Sequence, residues 1–264
     1  MIAAGPISAM PWRRTVCRML ILLAVSYAVI CTLMYLLQRR LIYFPQPAAI
    51  ATPANSQALK LGEVTLQISV QQNPGRQAVL YFGGNAEDVS QTLAPLSVAF
   101  PGRALYLPHY RGYGGSAGNP SEAALVSDGL KLFDWVHRQH PDITLIGRSL
   151  GSGVAIQVAA QRPASKLVLV TPYDSIQRMA QQQFPWLPVS LLLADKYESW
   201  RYVAALKMPT MLIMAGDDRV IPQAHTLALW QQFPAGQATL HTLAGIGHND
   251  IGDAPAYLRL LAQP

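Results

Sequence analysis

Cysteine is nearly absent from this sequence. Among 264 residues there are only Cys17 and Cys31, and both lie in the N-terminal segment. The rest of the chain therefore has no disulfide, no thiol nucleophile and no cysteine-based metal site. A cysteine-free domain agrees with an oxidising compartment without requiring one.

Charged residues are also few. Asp, Glu, Lys and Arg make up 13% of the chain, against 51% hydrophobic residues, and the formal net charge is +6. Beyond the N-terminal segment the basic residues are scattered rather than clustered, which does not favour binding to nucleic acid. We therefore expect no nucleic-acid partner.

One long segment has no charge at all. Residues 19–37 read MLILLAVSYAVICTLMYLL, which is long enough to cross the hydrocarbon core of a bilayer as a helix. A cleaved signal peptide is one alternative, but its apolar region is usually shorter and a small-residue cleavage site is missing here. A buried core helix is the other, and the apolarity on every side of the helix argues against it. We predict a basic segment over residues 1–18 and an uncleaved transmembrane anchor over residues 19–37.

Arginines flank this run on both sides. Arg13, Arg14 and Arg18 precede it together with the amino terminus, and Arg39 and Arg40 follow it. By the positive-inside rule, the more basic side stays in the cytoplasm. We expect a single-pass membrane protein whose C-terminal domain is periplasmic or otherwise extracytoplasmic.

The chain after the anchor divides into a linker and a domain. Residues 38–60 contain three prolines with Ala and Gln, which is typical of an extended linker. The domain is predicted over residues 61–264. Within it, residues 172–208 are longer than a simple crossover between strands and are rich in large apolar side chains. A crossover packed on the sheet and a small lid over a binding pocket are the two interpretations.

Short apolar runs alternate with helical patterns along the domain. Most of the runs are continuously apolar, which indicates parallel strands buried on both faces. We predict an α/β domain with a mostly parallel sheet covered by helices on both faces. The predicted strands are 63–70, 78–82, 104–107, 143–146, 167–170, 211–214 and 239–243, and the first is predicted to be an outer antiparallel strand. The predicted helices are 86–99, 122–138, 154–160 and 255–261.

The pentapeptide GRSLG occupies residues 147–151, between a predicted strand and a helical run of small residues. A Gly-x-Ser-x-Gly sequence in that setting is typical of a nucleophile elbow, where the serine hydroxyl is exposed on a strained turn. Gly147 and Gly151 let the neighbouring backbone pass close by, because a Cβ at either position would crowd the turn. The pentapeptide alone is a weak signal, so the candidate nucleophile Ser149 also needs partners.

Candidate partners follow two other strands, at the sheet edge where sites form in folds of this kind. Asp217 and Asp218 come after one strand, and His248 lies in a glycine-containing loop after the last. A histidine can take the proton of Ser149, and an aspartate can hold that histidine in the correct tautomer. Either aspartate could serve, and His109 also follows a strand. The order Ser149, Asp218, His248 is that of an α/β-hydrolase triad.

Two glycines follow the predicted strand 78–82 and lead into a helix. Their bare backbone could supply half of an oxyanion hole, from the N–H of Gly84 or of Asn85. The other half would come from the N–H of Leu150, the residue after the candidate nucleophile. A plain tight turn is the alternative.

Two longer blocks carry a family resemblance. YFGGNAED at residues 81–88 and YRGYGGSAGNPSE at residues 110–122 resemble blocks of the membrane-anchored abhydrolase-domain (Bem-like) serine hydrolases, and GRSLG and GHND (residues 247–250) match that group too. The resemblance covers residues 62–262. It implies an α/β-hydrolase fold with a Ser-Asp-His triad.

The resemblance favours Asp218 over Asp217 as the acid, by its spacing from the following proline. The chain departs from the group at the Gly-Gly pair, where the group often has His-Gly, and at His109. Gly216 is closer to the acid than is usual, which keeps Asp217 as an alternative.

These residues and the resemblance together predict a membrane-tethered serine hydrolase. It would cleave carboxylic esters or thioesters of acyl or lipid-like substrates through an acyl-enzyme at Ser149, with no metal and no cofactor. The expected partners are a small-molecule or lipid-like acyl substrate and the membrane. A serine peptidase with the same triad and a non-catalytic hydrolase-like binding module are the alternatives.

Overall fold

The structure, a computed structural model, describes residues 11–49 and 55–263. Residues 1–10 of the predicted basic segment, residues 50–54 of the predicted linker and Pro264 lie outside the described residues. A long N-terminal helix leads into a domain built around one sheet.

Among the described residues the sheet has eight strands. They are β1 (Ser56–Leu61), β2 (Val64–Gln71), β3 (Gln77–Phe82), β4 (Ala104–Pro108), β5 (Asp142–Arg148), β6 (Lys166–Val170), β7 (Thr210–Ala215) and β8 (Ala238–Leu243). Their spatial order is β1-β2-β4-β3-β5-β6-β7-β8. β2 is antiparallel to both β1 and β4, and every other pairing is parallel.

The central strands are buried on both faces. In β3, Ala78, Leu80 and Phe82 belong to one core, and Val79 and Tyr81 belong to the core on the opposite face. Side chains alternate across a strand, so a strand covered on both sides must be apolar throughout. This explains the continuous apolar runs, and it confirms the predicted fold class.

Helices cover both faces of the sheet. α3, α4 and α7 contribute to one core, and α2 and α8 contribute to the other. The helices are α1 (Pro11–Ile42), α2 (Val89–Ala99), α3 (Glu122–His137), α4 (Leu150–Ala159), α5 (Ile176–Gln183), α6 (Val189–Leu192), α7 (Gln223–Trp230) and α8 (Pro255–Leu261), with short 3-10 helices at Ser199–Arg201, Val203–Ala205 and Asp250–Asp253.

α1 stands apart from the other helices in its exposure. It has 32 residues, which corresponds to a length of about 48 Å. Its apolar window has a mean hydropathy of 2.5 and is not buried within the protein. By length and composition, α1 could cross a membrane.

The C-terminal end of α1 differs from the prediction. The helix continues past the predicted anchor of residues 19–37 to Ile42, and Tyr43 is buried in the core. The last turns remain helical because they dock on the domain. The Gln38 carboxamide is bonded to the backbone carbonyl of Leu192 and the backbone N–H of Ala194.

The predicted linker over residues 38–60 is shorter in the structure at its other end as well. β1 starts at Ser56 and pairs with β2 along its whole length. β1 is an edge strand whose side chains are half-buried or exposed except for the buried Leu61, so its sequence lacks the apolar run that marks a central strand. The predicted outer strand 63–70 corresponds to β2, which lies one strand inside the edge.

Residues 172–208 contain α5, α6 and two of the 3-10 helices. We call them the lid segment for brevity, and their role as a lid stays a prediction. The segment leaves the sheet after β6 and returns at β7. Part of it lies against α1, where Arg39 pairs with Asp195 at 3.2 Å.

Candidate active site

Ser149 lies between the end of β5 and the start of α4, with φ of 50° and ψ of −119°. A positive φ is unfavourable for a residue with a Cβ, so the surrounding backbone must hold the turn in place. The N–H of Ser149 donates to the carbonyl of Val170 at 2.8 Å. Its carbonyl accepts the N–H and the hydroxyl of Ser152 at 2.9 and 2.6 Å.

The glycines on either side of the turn are required by close backbone approach. A Cβ on Gly147 would lie 2.4 Å from the carbonyl oxygen of Gly151. A Cβ on Gly151 would lie 2.1 Å from the carbonyl oxygen of Phe82. Both distances are far below van der Waals contact, so a side chain at either position would force β3, β5 and α4 apart.

His248 lies beside Ser149 and contacts it through Nε2, which is 3.0 Å from the serine Oγ. Its other ring nitrogen, Nδ1, is 2.7 Å from Oδ2 of Asp218. The side chains of His248 and Asp218 are 9% and 2% exposed. A shielded carboxylate that accepts Nδ1–H leaves Nε2 free to accept the serine proton.

The other oxygen of Asp218 is also occupied. Its Oδ1 accepts the N–H groups of Val220 and Ile221 at 2.8 and 2.7 Å. Burial opposes ionisation of this carboxyl group, but the hydrogen bonds from His248 and the two N–H groups outweigh it and lower the pKa of Asp218 below its usual range. Asp217 is exposed at the surface. Of the two aspartates, the structure brings Asp218 to the histidine.

His109, the alternative to His248, lies elsewhere. It is buried beside Ser69, whose hydroxyl is 3.0 Å from Nε2. Burial lowers the pKa of His109. A second buried pair, His225 with Asp174 at 2.7 Å, joins α7 to the start of the lid segment.

The three backbone N–H groups expected to form the oxyanion hole differ in whether they are free to bind an oxygen atom. The N–H of Gly84 donates to Oε2 of Glu87 at 2.6 Å, so the prediction for Gly84 is not supported by this geometry. Among residues 11–49 and 55–263, the N–H groups of Asn85 and Leu150 make no hydrogen bond. Leu150 is the first residue of α4, and the helix dipole favours negative charge near its N–H group.

The loop that carries Asn85 is held by its side chain. Oδ1 accepts the N–H of Phe44 at 3.0 Å and the hydroxyl of Tyr113 at 2.8 Å. Nδ2 donates to the carbonyl of Ile42, the last residue of α1. Next to it, the hydroxyl of Tyr110 donates to the carbonyl of Gly83 at 2.9 Å. The YRGYGGSAGNPSE block and the end of α1 therefore brace the same loop.

Glu87 braces this loop from the opposite face of the sheet. Its Oε1 accepts the hydroxyls of Tyr81 and Thr92, each at 2.7 Å. Its Oε2 is 3.4 Å from the guanidinium of Arg148, in addition to the bond from Gly84. The Glu87 side chain is 9% exposed.

Sequence reasoning assigned no role to Glu87, Tyr110 or Tyr113. All three lie in the two blocks that carry the family resemblance, and that was the available signal. Within the part of the chain that is described, no group of three His, Cys, Asp or Glu side chains is arranged to hold a metal ion.

No protein-family model matches the chain. The chain is 34% identical over 259 residues to the uncharacterised protein MT2364 of Mycobacterium tuberculosis, and the match covers 89% of each protein. It is 31% identical to the alpha/beta hydrolase domain-containing protein aho-3 of Caenorhabditis elegans, over 69% of this chain and 55% of that protein. It is 26% identical to protein bem46 of Schizosaccharomyces pombe, over 75% of this chain and 70% of that protein.

Solved structures share the fold. The alpha/beta hydrolase domain-containing protein 10 from mouse matches with a TM-score of 0.61 and 16% identity, over 79% of this chain and 96% of that one. A serine hydrolase homologue from Coxiella burnetii matches with a TM-score of 0.61 and 17% identity, over 81% of this chain and 98% of that one. At these identities the likeness concerns the fold alone.

Proposed function

The chain belongs to the α/β-hydrolase superfamily, in the group related to Bem46, and we propose that it is a membrane-tethered serine hydrolase of carboxylic esters or thioesters. The observation that carries this proposal is the continuous hydrogen-bonded series from the Oγ of Ser149 through His248 to Asp218. That series can activate a hydroxyl group that is otherwise a poor nucleophile.

In the first half of the proposed reaction, Oγ of Ser149 attacks the carbonyl carbon while Nε2 of His248 takes its proton. Asp218 holds Nδ1–H and stabilises the imidazolium ion. The carbonyl oxygen becomes negatively charged and accepts hydrogen bonds from the N–H groups of Leu150 and Asn85. The C–O or C–S bond then breaks, and His248 gives its proton to the departing alcohol or thiol.

In the second half, water cleaves the acyl-enzyme. His248 removes a proton from the water molecule as its oxygen attacks the acyl carbon. The same N–H pair binds the oxyanion again. The bond to Ser149 then breaks, Oγ recovers its proton from His248, and a carboxylic acid is released. One water molecule is consumed for each bond cleaved.

The lipid-like character of the substrate is supported by the surroundings of the site. α1 can cross a membrane by its length and composition, and its last residue is bonded to the loop of Asn85. A site held this close to a bilayer meets acyl compounds at high local concentration. With three arginines before the apolar run and two after it, we propose that the domain lies in the periplasm or outside the cell.

Labelling with a fluorophosphonate probe tests the nucleophile. The wild-type chain in detergent micelles is expected to form a covalent adduct, and Ser149→Ala is expected to lose both this adduct and the hydrolysis of p-nitrophenyl esters. Ser97→Ala, on α2, is the matched control and should label normally, because its hydroxyl bonds only the carbonyl of Ala94.

Two results would contradict the proposal. Labelling that persists in Ser149→Ala would assign the nucleophile to another residue. A wild-type chain that is folded by circular dichroism but neither labels nor cleaves esters would favour the non-catalytic binding module.

A further inference from the structure

An apolar groove runs between α1 and the lid segment. It has a volume of about 370 Å³, and its walls are four residues of α1 and seven of the lid segment. Among these described lining residues Gln38 is the only polar one, and its carboxamide is already bonded to the backbone of the lid segment. Met34, Gln38 and Ile42 repeat every four residues, so they form one stripe along α1.

We propose that this groove binds the acyl chain of a membrane-resident ester or thioester, which enters it sideways from the lipid leaflet. The inference rests on the proposed function, because it names the substrate class of that same site. The groove would hold a single long acyl chain, and that chain would come from the bilayer rather than from the aqueous phase.

The tip of the lid segment, residues 184–188, exposes large apolar side chains. Phe184 is 37% exposed and Trp186 is 55% exposed, and Leu191 in the following helix is 82% exposed. The tip contacts the exposed apolar surface of α1 through Tyr27, whose hydroxyl is bonded to the carbonyl of Trp186. Contiguous apolar surface of this kind marks a membrane or partner contact.

Much of the backbone of the tip is hydrogen-bonded within the protein, although its side chains are exposed. The carbonyls of Phe184, Trp186 and Leu187 each accept a hydrogen bond at 3.0 Å or shorter, and the carbonyl of Pro185 meets only the Gln181 carboxamide, at 3.4 Å. Water can satisfy such groups at an aqueous surface, whereas hydrocarbon cannot, so these internal hydrogen bonds suit a tip that lies in lipid. Pro185 and Pro188 carry no N–H, so the N–H of Trp186 is the one backbone donor of residues 184–188 that makes no hydrogen bond. The donors are the N–H groups of Leu187 and Val189, the Gln181 carboxamide and the Tyr27 hydroxyl.

The contact with Tyr27 sets the depth of the tip. The hydroxyl of Tyr27 donates to the carbonyl of Trp186 at 2.9 Å, and Tyr27 lies in the middle of the apolar run 19–37. Along α1, Tyr27 is about 15 Å from Leu37, where the run ends. Because the hydrocarbon core is about 30 Å thick, a spanning α1 carries the tip well into the leaflet next to the domain.

One end of the groove lies beside the loop of the expected oxyanion hole. Ile42 lines the groove, and its carbonyl accepts a hydrogen bond from the side chain of Asn85. Gly84 precedes Asn85, and a Cβ added there would lie 3.5 Å from the Cβ of Ser149. An acyl chain in the groove therefore extends from the leaflet toward the position of the scissile carbonyl group.

The first experiment measures immersion of the tip without relying on catalysis. The full chain is placed in phosphatidylcholine vesicles with and without bromine on the acyl chains, and tryptophan quenching is compared. Trp186→Phe is expected to remove a substantial part of the quenched emission, whereas Trp230→Phe, on α7, should remove none. Equal quenching in the wild type and Trp186→Phe would overturn entry from the leaflet.

The second experiment narrows the groove. Ala180→Trp fills it from α5, and Met34→Trp fills it from α1. In vesicles, each is expected to lower the ratio of kcat/KM for p-nitrophenyl laurate over p-nitrophenyl acetate by about tenfold, the effect of losing contact with two methylene groups. Ala94→Trp, exposed on α2, should leave the ratio unchanged.

Fluorophosphonate labelling of Ser149 keeps the outcomes separate. If both groove variants label normally and their ratio equals that of the wild type, the groove proposal is wrong while the proposed function stands. If Ala180→Trp does not fold, the same comparison rests on Met34→Trp, which changes only α1. If the wild type cleaves neither ester, the proposed function fails, and the quenching result still decides where the tip lies.

Discussion

The guanidinium of Arg148 lies 3.4 Å from the carboxylate of Glu87, and the same guanidinium lies 3.4 Å from the carbonyl oxygens of His248 and Asn249. Arg148 is the residue before the candidate nucleophile, Glu87 fixes the loop of the expected oxyanion hole, and His248 is the candidate base. The ion pair of Arg148 and Glu87 therefore connects the three loops on which the proposed chemistry depends.

Glu87→Gln should lower both stability and kcat. The carboxylate accepts three hydrogen bonds and faces a cation, and an amide with one acceptor oxygen cannot replace all of these contacts. We expect a decrease of about 2–4 kcal/mol in the free energy of unfolding. Because the oxyanion loop loosens, kcat should fall more than KM rises. Thermal unfolding and ester kinetics measure the two effects, and the exposed Glu63→Gln is the control. An unchanged kcat in Glu87→Gln would remove Glu87 from the positioning of this loop.

Replacing each of the two adjacent aspartates by asparagine should affect kcat very differently. Asp218→Asn should lower kcat by about 10³–10⁴-fold, because an amide does not hold the correct imidazole tautomer. Asp217→Asn should have little effect, because Asp217 is exposed and its side chain does not reach His248. Ester hydrolysis by the two purified variants measures this. The reverse ranking would show that the acid is Asp217.

The lowered pKa of Asp218 predicts a pH dependence of stability. Folding favours the ionised carboxylate, since the folded pKa lies below the unfolded value of about 3.9. Its contribution is therefore present above that value and is lost as the pH falls through the folded pKa. The difference in unfolding temperature between the wild type and Asp218→Asn should be largest near neutral pH and should shrink at pH values below about 4. A difference that grows on acidification would mean that the pKa is raised instead.

A methyl group at Gly151 should disrupt the turn of Ser149. The Cβ would overlap the carbonyl oxygens of Phe82 and Gly83 at 2.1 and 2.5 Å. We expect Gly151→Ala to lower the free energy of unfolding by about 3 kcal/mol and to abolish fluorophosphonate labelling. Gly252→Ala is the matched control, because a Cβ there meets no atom within 4 Å. Normal labelling of Gly151→Ala would mean that the backbone can move apart at this point.

Reporter fusions test on which side of the membrane the domain lies. Fused after the last residue, alkaline phosphatase should be active, and a fluorescent protein that matures only in the cytoplasm should stay dark. The expectation depends on the small excess of arginine before the apolar run. The opposite result would place the domain in the cytoplasm without affecting the proposed triad.

The parallel core was predictable because its strands are buried on both faces and so are apolar throughout. β1 was missed because Ser56–Leu61 is an edge strand in which polar residues interrupt the apolar ones. The order and spacing of Ser149, Asp218 and His248 made them identifiable, and their catalytic roles stay predictions. The structural roles of Glu87 and Gln38 could not be predicted, since they depend on contacts with residues 61 and 154 positions away in the chain. Local patterns carry no information about such pairs.

The bonds from Asn85 to the carbonyl of Ile42 and from the N–H of Phe44 to Asn85 also bear on what proteolysis of α1 would do to the proposed active site. A protease that cut α1 between Leu37 and Ile42 would separate the domain from the apolar run and, at the same time, loosen the peptide that holds Asn85 in place. The shed fragment would keep Ser149, His248 and Asp218 but lose the support of one of its two oxyanion donors. If the proposed function is correct, release from the membrane would thus lower the activity, and full activity would require the intact α1.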